Sequence, residues 1–463
     1  MQNLYVDVTS LDSRTVDKFA LSEEIMMEHA AIALERTIRE RFVLGSSILI
    51  VCGSGNNGAD GLALARLLDG DFDVIVHVPF GVSSPLAKLQ LKRLERMGIK
   101  SERLPKSADV IIDALFGSGL SRPLDSATVK ILETLNTLQG FKIACDIPSG
   151  LHLDGSCDTH SFKATLTVTM GALKRGMFSD HAKEIVGEII VADLGIHHNH
   201  YEIPSQWHLL EVSDLRLPLR TTTTAHKGTY GHVAVVCGEK AGAAVIAGSA
   251  ALRFGAGLVT LVSNENVSIP YELMQSHSLP ENTTAIALGM GMGSEFGDDE
   301  LTRILDNTHP IVLDADIFYH PMFVQLLTRP NIVLTPHPKE FTQILRVCSI
   351  ADIDTATLQN NRFTYIEAFC ATFPNAVLVL KGSNVLIGRN KDFFINPHGT
   401  VNLAKGGSGD VLSGLIAALL AQGYDPLKSA LQGSLAHTIA SQKFAKNNYA
   451  MTPLDLIESI TIL

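Results

Sequence analysis

The sequence lacks the patterns that indicate a secreted, membrane or nucleic-acid-binding protein. Its six cysteines are scattered without a C-x-x-C pair, which argues against a disulfide framework or zinc site and favours reduced thiols. No apolar run approaches the roughly 20 residues that span a bilayer, and the N-terminal segment is too polar for a signal peptide. The net charge is −11, with no run of Lys and Arg to bind nucleic acid. We therefore expect a cytoplasmic protein with no membrane or nucleic-acid partner.

The composition is that of a globular chain with more than one core. The 463 residues are 46% hydrophobic and 18% charged. Short apolar runs alternate with helical stretches in both halves, which predicts an α/β fold with parallel, doubly wound sheets. Prolines, glycines and a Thr tract interrupt this pattern after residue 212. We therefore predict domains at residues 1–212 and 226–463, joined by a linker at 213–225.

The late segment "AKGGSGDVLSGLIAALL" combines a Gly-rich turn with an apolar helix. Its large apolar residues recur at helical spacing from Val411 onwards, so the glycines lie at the helix N-terminus. Unpaired N–H groups and the helix dipole favour an anion there, and glycines allow its close approach. Asp410 follows directly, where a carboxylate can take a proton from a substrate hydroxyl during phosphoryl transfer.

Taken alone, "GGSGD" fits an ordinary capped turn about as well as a phosphate site. Four other motifs in this half follow predicted strands: "GMGMG", "LDAD", "TPHP" and "VLKG". The carboxyl ends of parallel strands share one edge of a sheet, where ligands bind. His337 by itself fits a turn histidine, and the two aspartates of "LDAD" suit either metal-bound water or helix caps. The convergence of these motifs favours a nucleotide site.

In their order along the second half, these motifs resemble the ribokinase-like NAD(P)H-hydrate dehydratases. The resemblance implies a ribokinase-like domain that uses ADP or ATP to remove water from the S hydrates of NADH and NADPH (NADHX and NADPHX). Phosphoryl transfer in turn implies Mg²⁺, to which the sequence assigns no ligands. The resemblance also implies that Asp410 is the base. The residues implied to bind ADP or ATP are Lys381, Gly382, Ser383, Asn384, Val385, Gly406, Gly407, Ser408 and Gly409. The residues implied to line the hydrated nicotinamide are Ala243, Gly291, His337 and Asp410.

The first half contains a second Gly-rich turn, "CGSGNNGADG", between a predicted strand and helix. Its G-x-G-x-x-G spacing is a weak dinucleotide signal. The usual acidic residue is missing from the end of the next strand, which argues against an ordinary NAD redox site. Two further motifs after strands, "DALFGSGLSRPL" and "CDIPSGLHLDG", carry oxygen side chains that suit a hard cation. Each motif alone also fits a capped turn.

Together the three motifs resemble a Rossmann-like NAD(P)H-hydrate epimerase domain. The resemblance implies interconversion of the R and S hydrates, with Asp146 as the best candidate for proton handling and Lys174 assisting. The residues implied to contact the hydrate are Asn56, Asn57, Gly58, Ala59, Asp60, Gly117, Ser118, Gly119, Leu120, Ser121, Arg122, Pro123 and Asp146. The residues implied to bind K⁺ are Asn57, Asp113 and Ser149.

Three positions depart from the family pattern. Ala59 replaces a glycine of the epimerase motif; alanine suits a helical φ, so we expect epimerase activity to survive. Lys339 and Val385 replace a glycine and a threonine of the dehydratase motifs.

Bifunctional repair of hydrated NAD(P)H, by a homo-oligomer, is the leading hypothesis. One alternative is a ribokinase-superfamily kinase of a vitamin precursor or sugar alcohol, with an accessory nucleotide-sensing first half. A second alternative is a non-enzymatic binding module in the first half. The choice between ADP and ATP, and between NADHX and NADPHX, stays open.

Overall fold

The computed structural model describes residues 1–120, 122–293 and 297–463. The chain divides into two compact units, Gln2–Trp207 and His208–Leu463, with Met1 grouped with the second. The stretch predicted as a linker, 213–225, belongs to the second unit; the predicted functional boundaries stay predictions. Within the described ranges, every helix is too short or too polar to cross a bilayer.

The first unit alternates strands and helices from residue 47 onwards, as predicted. Its strands are β1 (Gln2–Leu4), β2 (Ser47–Cys52), β3 (Asp73–His77), β4 (Val110–Ala114), β5 (Phe141–Cys145), β6 (Leu166–Met170) and β7 (Glu188–Ala192). Its helices are α1 (Thr9–Phe19), α2 (Glu23–Arg41), α3 (Asn56–Leu68), α4 (Pro85–Arg96), α5 (Ser126–Thr137) and α6 (His198–Tyr201). The six strands β2 to β7 form a parallel sheet in the order β3-β2-β4-β5-β6-β7.

Both faces of this sheet are covered by helices. Ile48 and Ile50 of β2 pack with buried residues of α2 and α3, whereas the intervening Leu49 packs with Leu132 of α5. Because alternate residues of a strand point to opposite faces, the sheet is doubly wound. Helix α2 is capped by Ser22, whose Oγ accepts a hydrogen bond from Ile25 N at 3.3 Å.

The second unit contains a larger sheet. Its strands are β8 (Trp207–Leu209), β9 (His232–Val236), β10 (Leu258–Val262), β11 (Met274–Ser276), β12 (Ala285–Leu288), β13 (Ile311–Leu313), β14 (Ile332–Leu334), β15 (Val377–Leu380), β16 (Val385–Arg389) and β17 (Asp392–Asn396). Its helices are α7 (Ala241–Arg253), α8 (Asp298–Leu305), α9 (Phe323–Leu326), α10 (Pro338–Val347), α11 (Thr355–Asn360), α12 (Arg362–Thr372), α13 (Ser408–Ala421), α14 (Pro426–Gln442) and α15 (Pro453–Ser459). The strand order is β8-β17-β16-β15-β14-β13-β12-β9-β10-β11.

Strands β9 to β15 run parallel, and β16 and β17 add an antiparallel edge. Ile387 of β16 belongs to the core formed with α7, α13 and α14. A Cβ at its neighbour Gly388 would lie 2.9 Å from Cys370 Sγ of α12, so helices cover both faces here too. The α/β, doubly wound fold predicted from the sequence is confirmed in both units.

Each sheet has one point where the chain reverses its direction of winding. In the first unit this point lies between β2 and β4, and in the second between β9 and β12. The loops that leave such neighbouring strands in opposite directions open a crevice at the carboxyl edge, where α/β proteins bind ligands.

Candidate functional site

A cavity of about 560 Å³ opens at the reversal point of the first unit. Gly53, after β2, approaches the loop after β4 so closely that a Cβ there would lie 1.9 Å from Leu115 O. The cavity is lined by Val8, Asp12, Ser54, Gly55, Asn56, Asn57, Asp60, Ser84, Leu115, Phe116, Gly117, Ser118, Gly119, Leu120, Asp146 and Met170. Most of the predicted hydrate-contacting residues therefore meet at one site.

Asp146 follows β5 with a left-handed backbone, φ 70°. Its Oδ1 accepts hydrogen bonds from Lys174 Nζ at 2.6 Å and from Met170 N at 3.3 Å, and Ser118 N donates to Oδ2 at 2.9 Å. Burial favours a raised pKa for Asp146, but the Lys174 ammonium and the two amides outweigh it, so the pKa lies below its ordinary value. This carboxyl is an ionised group fixed in the cavity wall.

Lys174 is only 1% exposed. Its ammonium donates to Asp146 Oδ1, to Thr169 Oγ1 at 2.9 Å and to Met170 O at 2.7 Å. These three acceptors match the three donors of an ammonium group. Lys174 therefore fixes the position of the Asp146 carboxyl and lowers its pKa.

Two further carboxyls line the same cavity. Asp12 of α1 accepts a hydrogen bond from Tyr201 Oη at 2.7 Å. The carboxyl group of Asp60 in α3 makes no hydrogen bond within the described residues. Burial, and then the charges of Asp146 and Asp12, raise the pKa of Asp60 well above its ordinary value, against the opposing effect of Lys174. The cavity thus presents one carboxyl with a raised pKa, Asp60, and one with a lowered pKa, Asp146.

The three residues implied to bind K⁺ have unequal surroundings. Ser149 donates to Asp113 through both N and Oγ, each at 2.7 Å. Burial raises the pKa of Asp113 to about 6, although these hydrogen bonds oppose the rise. The side-chain oxygen and nitrogen of Asn57 are buried without hydrogen-bond partners in the described chain. An orphaned buried amide oxygen beside this cavity fits a ligand to a hard cation.

Four further residues predicted to contact the hydrate, Gly58, Ala59, Arg122 and Pro123, do not line this cavity. Gly58 and Ala59 are buried in the first turn of α3, and a Cβ on Gly58 would lie 1.9 Å from Gly53 O. Ala59 has a helical backbone, as expected. Arg122 and Pro123 are exposed, and Ser121 lies outside the described residues.

In the second unit the predicted Gly-rich turn opens α13, which begins at Ser408. Gly407 is its N-cap with φ 90°, a conformation that glycine adopts without strain. A Cβ at Gly406 would meet no atom within 4 Å, whereas one at Gly409 would lie 3.2 Å from Lys381 Nζ. The amides at this helix start therefore lie near a cation, which suits a phosphate group.

Lys381 links the strand-end motifs. Its Nζ lies 2.9 Å from Asp314 Oδ1 and 3.9 Å from Glu340 Oε2. Asp314 Oδ2 accepts a hydrogen bond from Ser413 Oγ of α13 at 2.9 Å. Burial favours a lowered pKa for Lys381, but the two carboxylates outweigh it and raise that pKa. The lysine thus stays charged beside the Gly-rich turn that opens α13.

Asp410 lies in the first turn of α13 and makes no hydrogen bond in the described part of the chain. Burial, followed by repulsion from Asp314, raises its pKa to about 7, while Lys381 pulls it down. A carboxyl that titrates near neutrality can accept a proton and later release it, as a general base must.

His337 is the N-cap of α10, and its ring Nδ1 accepts from Glu340 N at 3.2 Å. Its side chain is 46% exposed, and its Nε2 lies 3.1 Å from Glu340 Oε1. Burial raises the pKa of Glu340 to about 7. The sequence-based alternatives for His337, turn residue or ligand contact, are compatible here, since a capping imidazole also presents its edge to solvent.

Ala243 and Gly291 meet at the reversal point of this unit. A Cβ at Gly291, which has φ 63°, would lie 3.1 Å from Ala243 Cβ, and Lys240 N donates to Gly291 O at 2.9 Å. The predicted nucleotide segment 381–385 connects β15 to β16, with Gly382 and Ser383 exposed and Asn384 and Val385 buried.

Sequence reasoning missed several groups that the fold brings to the two sites. They are Asp12 and Tyr201 in the first unit, and Glu340 and Ser413 in the second. Asp12 lies in a polar helix with no motif around it, so no sequence signal marks it. Glu340, three residues after His337, is the capping-box pattern, which could have been found.

Comparisons with known proteins identify the family of the chain. Residues 233–462 match the NAD(P)H-hydrate dehydratase family, and residues 23–176 match the YjeF-related protein N-terminus family. The bifunctional NAD(P)H-hydrate repair enzyme Nnr of Helicobacter pylori is 43% identical over 471 residues, covering 99% of both chains. That of Coxiella burnetii is 33% identical over 455 residues, covering 92% of this chain and 91% of the relative.

Among solved structures, an ADP/ATP-dependent NAD(P)H-hydrate dehydratase from Bacillus subtilis, co-crystallised with ATP and Mg²⁺, is 28% identical with a TM-score of 0.45. The match covers 52% of this chain and 92% of that one. With near-complete coverage of both chains at 43% identity, this protein belongs to the family of bifunctional NAD(P)H-hydrate repair enzymes.

Proposed function

We propose that this chain epimerises the R and S hydrates of NADH and NADPH at the first site, and dehydrates the S hydrates at the second. The dehydration consumes ADP or ATP. The observation that carries the proposal is Asp410, a carboxyl with a pKa of about 7 at the glycine-bounded start of α13, beside the charged Lys381.

At the second site the substrate hydroxyl on C6 loses its proton to Asp410 as its oxygen attacks the terminal phosphorus of the nucleotide. The amides at the start of α13 and the Lys381 ammonium stabilise the charge that develops on the phosphoryl oxygens. Phosphate then leaves C6 while a proton leaves C5, which restores the ring double bond. Converting hydroxide into phosphate supplies a better leaving group.

We propose that Mg²⁺ enters this site with the nucleotide. Within the described ranges, no group of three or more His, Cys, Asp or Glu side chains could hold a metal ion. Mg²⁺ does not need such a group, because it keeps several waters and binds through phosphates together with one or two carboxylates. When bound, Mg²⁺ neutralises phosphate charge.

For the first site we propose K⁺ held by Asn57 Oδ1, Asp113 and Ser149 Oγ. The orphaned buried amide of Asn57 supports this ligand set. A cation there places positive charge beside the Gly-rich turn that opens α3, where the phosphates of a dinucleotide are expected. The other predicted contacts around this cavity are part of the same proposal.

The test uses the full-length chain and a mixture of R- and S-NADHX with ADP or ATP and Mg²⁺. Recovery of the reduced-nicotinamide absorbance reports dehydration, and chromatography of the two hydrates reports epimerisation. In Asp410→Asn we expect dehydration to fall by about 10²- to 10⁴-fold while epimerisation persists. The exposed Asp392→Asn is the matched control. Dehydration at the normal rate in Asp410→Asn contradicts the site assignment, and a stable phosphorylated product with other alcohols favours a kinase.

We also propose a cytoplasmic homo-oligomer. The six cysteines form no disulfide within the described chain, which supports a reducing compartment. Light scattering of the purified chain measures the oligomeric state, and a single-chain mass would contradict this part of the proposal.

A further inference from the structure

The cavity of the first unit contains a carboxyl to which the predicted chemistry gives no proton-transfer role. Asp60 projects from α3 into the 560 Å³ cavity, and it also lines an adjoining cavity of about 320 Å³. Its side chain makes no hydrogen bond in the described part of the chain. A half-buried carboxyl that faces a cavity and lacks a partner has its bonding capacity directed at a ligand.

The other two carboxyls of the cavity are already engaged. Asp146 accepts three hydrogen bonds, one of them from the Lys174 ammonium. Asp12 Oδ1 accepts a hydrogen bond from Tyr201 Oη at 2.7 Å. Asp60 and Asp146 therefore face one cavity from different elements, α3 and the end of β5. The Asp146 carboxyl accepts three hydrogen bonds, whereas the Asp60 carboxyl accepts none within the described residues.

The groups that face Asp60 explain why its pKa is raised. They are the carboxyls of Asp12 and Asp146, the Lys174 ammonium, and the buried thiols of Cys52 and Cys145. Burial raises the pKa of both thiols, so they stay neutral. Burial and the two carboxylates raise the pKa of Asp60, whereas the pKa of Asp146 is lowered by the same lysine and amides that bind it. Two carboxyls whose environments separate their pKa values form an acid and base pair.

We propose that Asp60 is the second catalytic residue of the epimerase and exchanges roles with Asp146 between the two directions of the reaction. This inference rests on the epimerase function proposed above. One carboxyl protonates the leaving hydroxyl of C6 on one face of the ring, and the other receives a proton from water that adds on the opposite face.

The step balances without a further reactant. The Asp60 proton passes to the C6 oxygen, the C6–O bond breaks, and water leaves. The lone pair on N1 forms a C6=N1 double bond, which gives a cationic ring. A water molecule then adds to the other face of C6, its proton passes to the Asp146 carboxylate, and the electron pair returns to N1. The reverse reaction starts from protonated Asp146 and ionised Asp60, and proton exchange with solvent interconverts the two states.

Lys174 is a positioning residue in this scheme. All three of its donors are used, and it lies against Asp146 rather than open to the cavity. Lys174 helps to hold the pKa of Asp146 below its ordinary value, whereas the pKa of Asp60 is raised. The scheme needs this difference, because at each stage one carboxyl carries the proton and the other does not.

The experiment uses the full-length chain carrying Asp410→Asn, so that the hydrate is not consumed, and starts from the purified R hydrate of NADH. Chromatography follows the appearance of the S hydrate after subtraction of the uncatalysed rate. The variants are Asp60→Asn, Asp60→Glu and the control Asp73→Asn, which removes an exposed carboxylate at the opposite edge of the sheet. The same reactions in H₂¹⁸O measure oxygen exchange at C6.

We expect kcat to fall at least about 100-fold in Asp60→Asn, with KM changed much less, and to recover partly in Asp60→Glu. The alkaline limb of the kcat/KM profile, which reports deprotonation of the acid, disappears in Asp60→Asn. In the parent chain each epimerisation incorporates one ¹⁸O.

Three results overturn the inference while leaving the epimerase function in place. They are an unchanged kcat in Asp60→Asn, a loss equal to that of Asp73→Asn, and epimerisation without ¹⁸O incorporation. A parent chain that does not epimerise at all overturns the proposed function as well. Melting temperatures within a few degrees of the parent separate loss of chemistry from loss of folding.

Discussion

The Lys381 ammonium lies 2.9 Å from Asp314 Oδ1, and Ser413 of α13 donates a hydrogen bond to the other oxygen of that carboxylate. The pair connects the ends of β13 and β15 to the helix that carries Asp410. Because a Cβ on Gly409 would lie only 3.2 Å from Lys381 Nζ, the lysine charge sits at the helix start itself. One side chain therefore both lowers the pKa of Asp410 and faces the turn where we propose that phosphate binds.

The first prediction concerns the pH dependence of dehydration. Asp410 must be ionised to act as a base, and its pKa is about 7. We therefore expect kcat/KM for dehydration to rise with pH through an acidic limb near pH 7 and to level off above it. A profile measured with S-NADHX checks this, and a limb near pH 4 would contradict a raised pKa.

The second prediction is a shift of that limb. Lys381 lowers the pKa of Asp410, so Lys381→Met raises it and moves the acidic limb to higher pH. Loss of the phosphate-facing charge also reduces the rate on the plateau by about 10- to 100-fold, because preorganised charge stabilises the transferring phosphoryl group. The exposed Lys443→Met is the control. An unshifted limb in Lys381→Met would show that the lysine does not act on Asp410.

The third prediction concerns Gly117→Ala. A Cβ at residue 117 would lie 2.8 Å from Asp146 Oδ2 and 3.2 Å from Asn57 Cγ, so the methyl group displaces the carboxylate. We expect epimerisation to fall at least about tenfold, because a misplacement of about 1 Å at a reacting group can cost 100-fold. Dehydration of pure S-NADHX by the same sample is the internal control. Retained epimerisation would place the chemistry elsewhere.

The fourth prediction concerns Ala59→Gly, which restores the residue usual in the family. Ala59 is buried in α3 with helical geometry, so glycine there costs about 1 kcal/mol through backbone entropy. We expect the melting transition of the first unit to fall by about 2–4 °C and epimerisation to stay within about twofold. A large gain of epimerase activity in Ala59→Gly would mean that alanine impairs the site.

The fifth prediction concerns K⁺. Removal of the buried amide in Asn57→Ala should raise the K⁺ concentration that half-saturates epimerisation, because a cation with fewer oxygen ligands binds less tightly. K⁺ titrations at constant ionic strength, with tetramethylammonium as the replacement ion, measure the change in half-saturating concentration. The exposed Asn199→Ala provides the comparison. Equal K⁺ dependence in both variants would exclude Asn57 as a ligand.

Much of the architecture could be predicted from the sequence, because parallel strands are short apolar runs that the Gly-rich turns separate clearly. The helical spacing of the apolar residues is enough to predict α13. The glycine expected after its end is Gly423, with φ 87°, and Asp425 then caps the next helix, α14. Strands β1, β8, β11 and β17 were not predicted. Polar residues interrupt or flank their apolar residues, unlike the equally short IVL runs of β13 and β14, which were predicted.

The candidate sites were harder to predict where a role depends on packing. Lys174 has the sequence of a possible proton carrier, but only the fold shows that all its donors are occupied. The contrast between Asp60 and Asp146 likewise comes from burial and partners, which no local motif encodes. Asp12 reaches the cavity from a helix near the N-terminus, and its place could be found only from the tertiary structure.

The left-handed backbone at Asp146 restricts which residues this position accepts. Aspartate, asparagine and glycine tolerate that conformation, whereas most others lose about 1–2 kcal/mol there. Of the three, aspartate alone brings a titratable oxygen. A single nucleotide change toward asparagine or glycine would keep this backbone conformation but remove the counter-charge of the buried Lys174 ammonium, so either substitution would lower the stability of the chain as well as its activity.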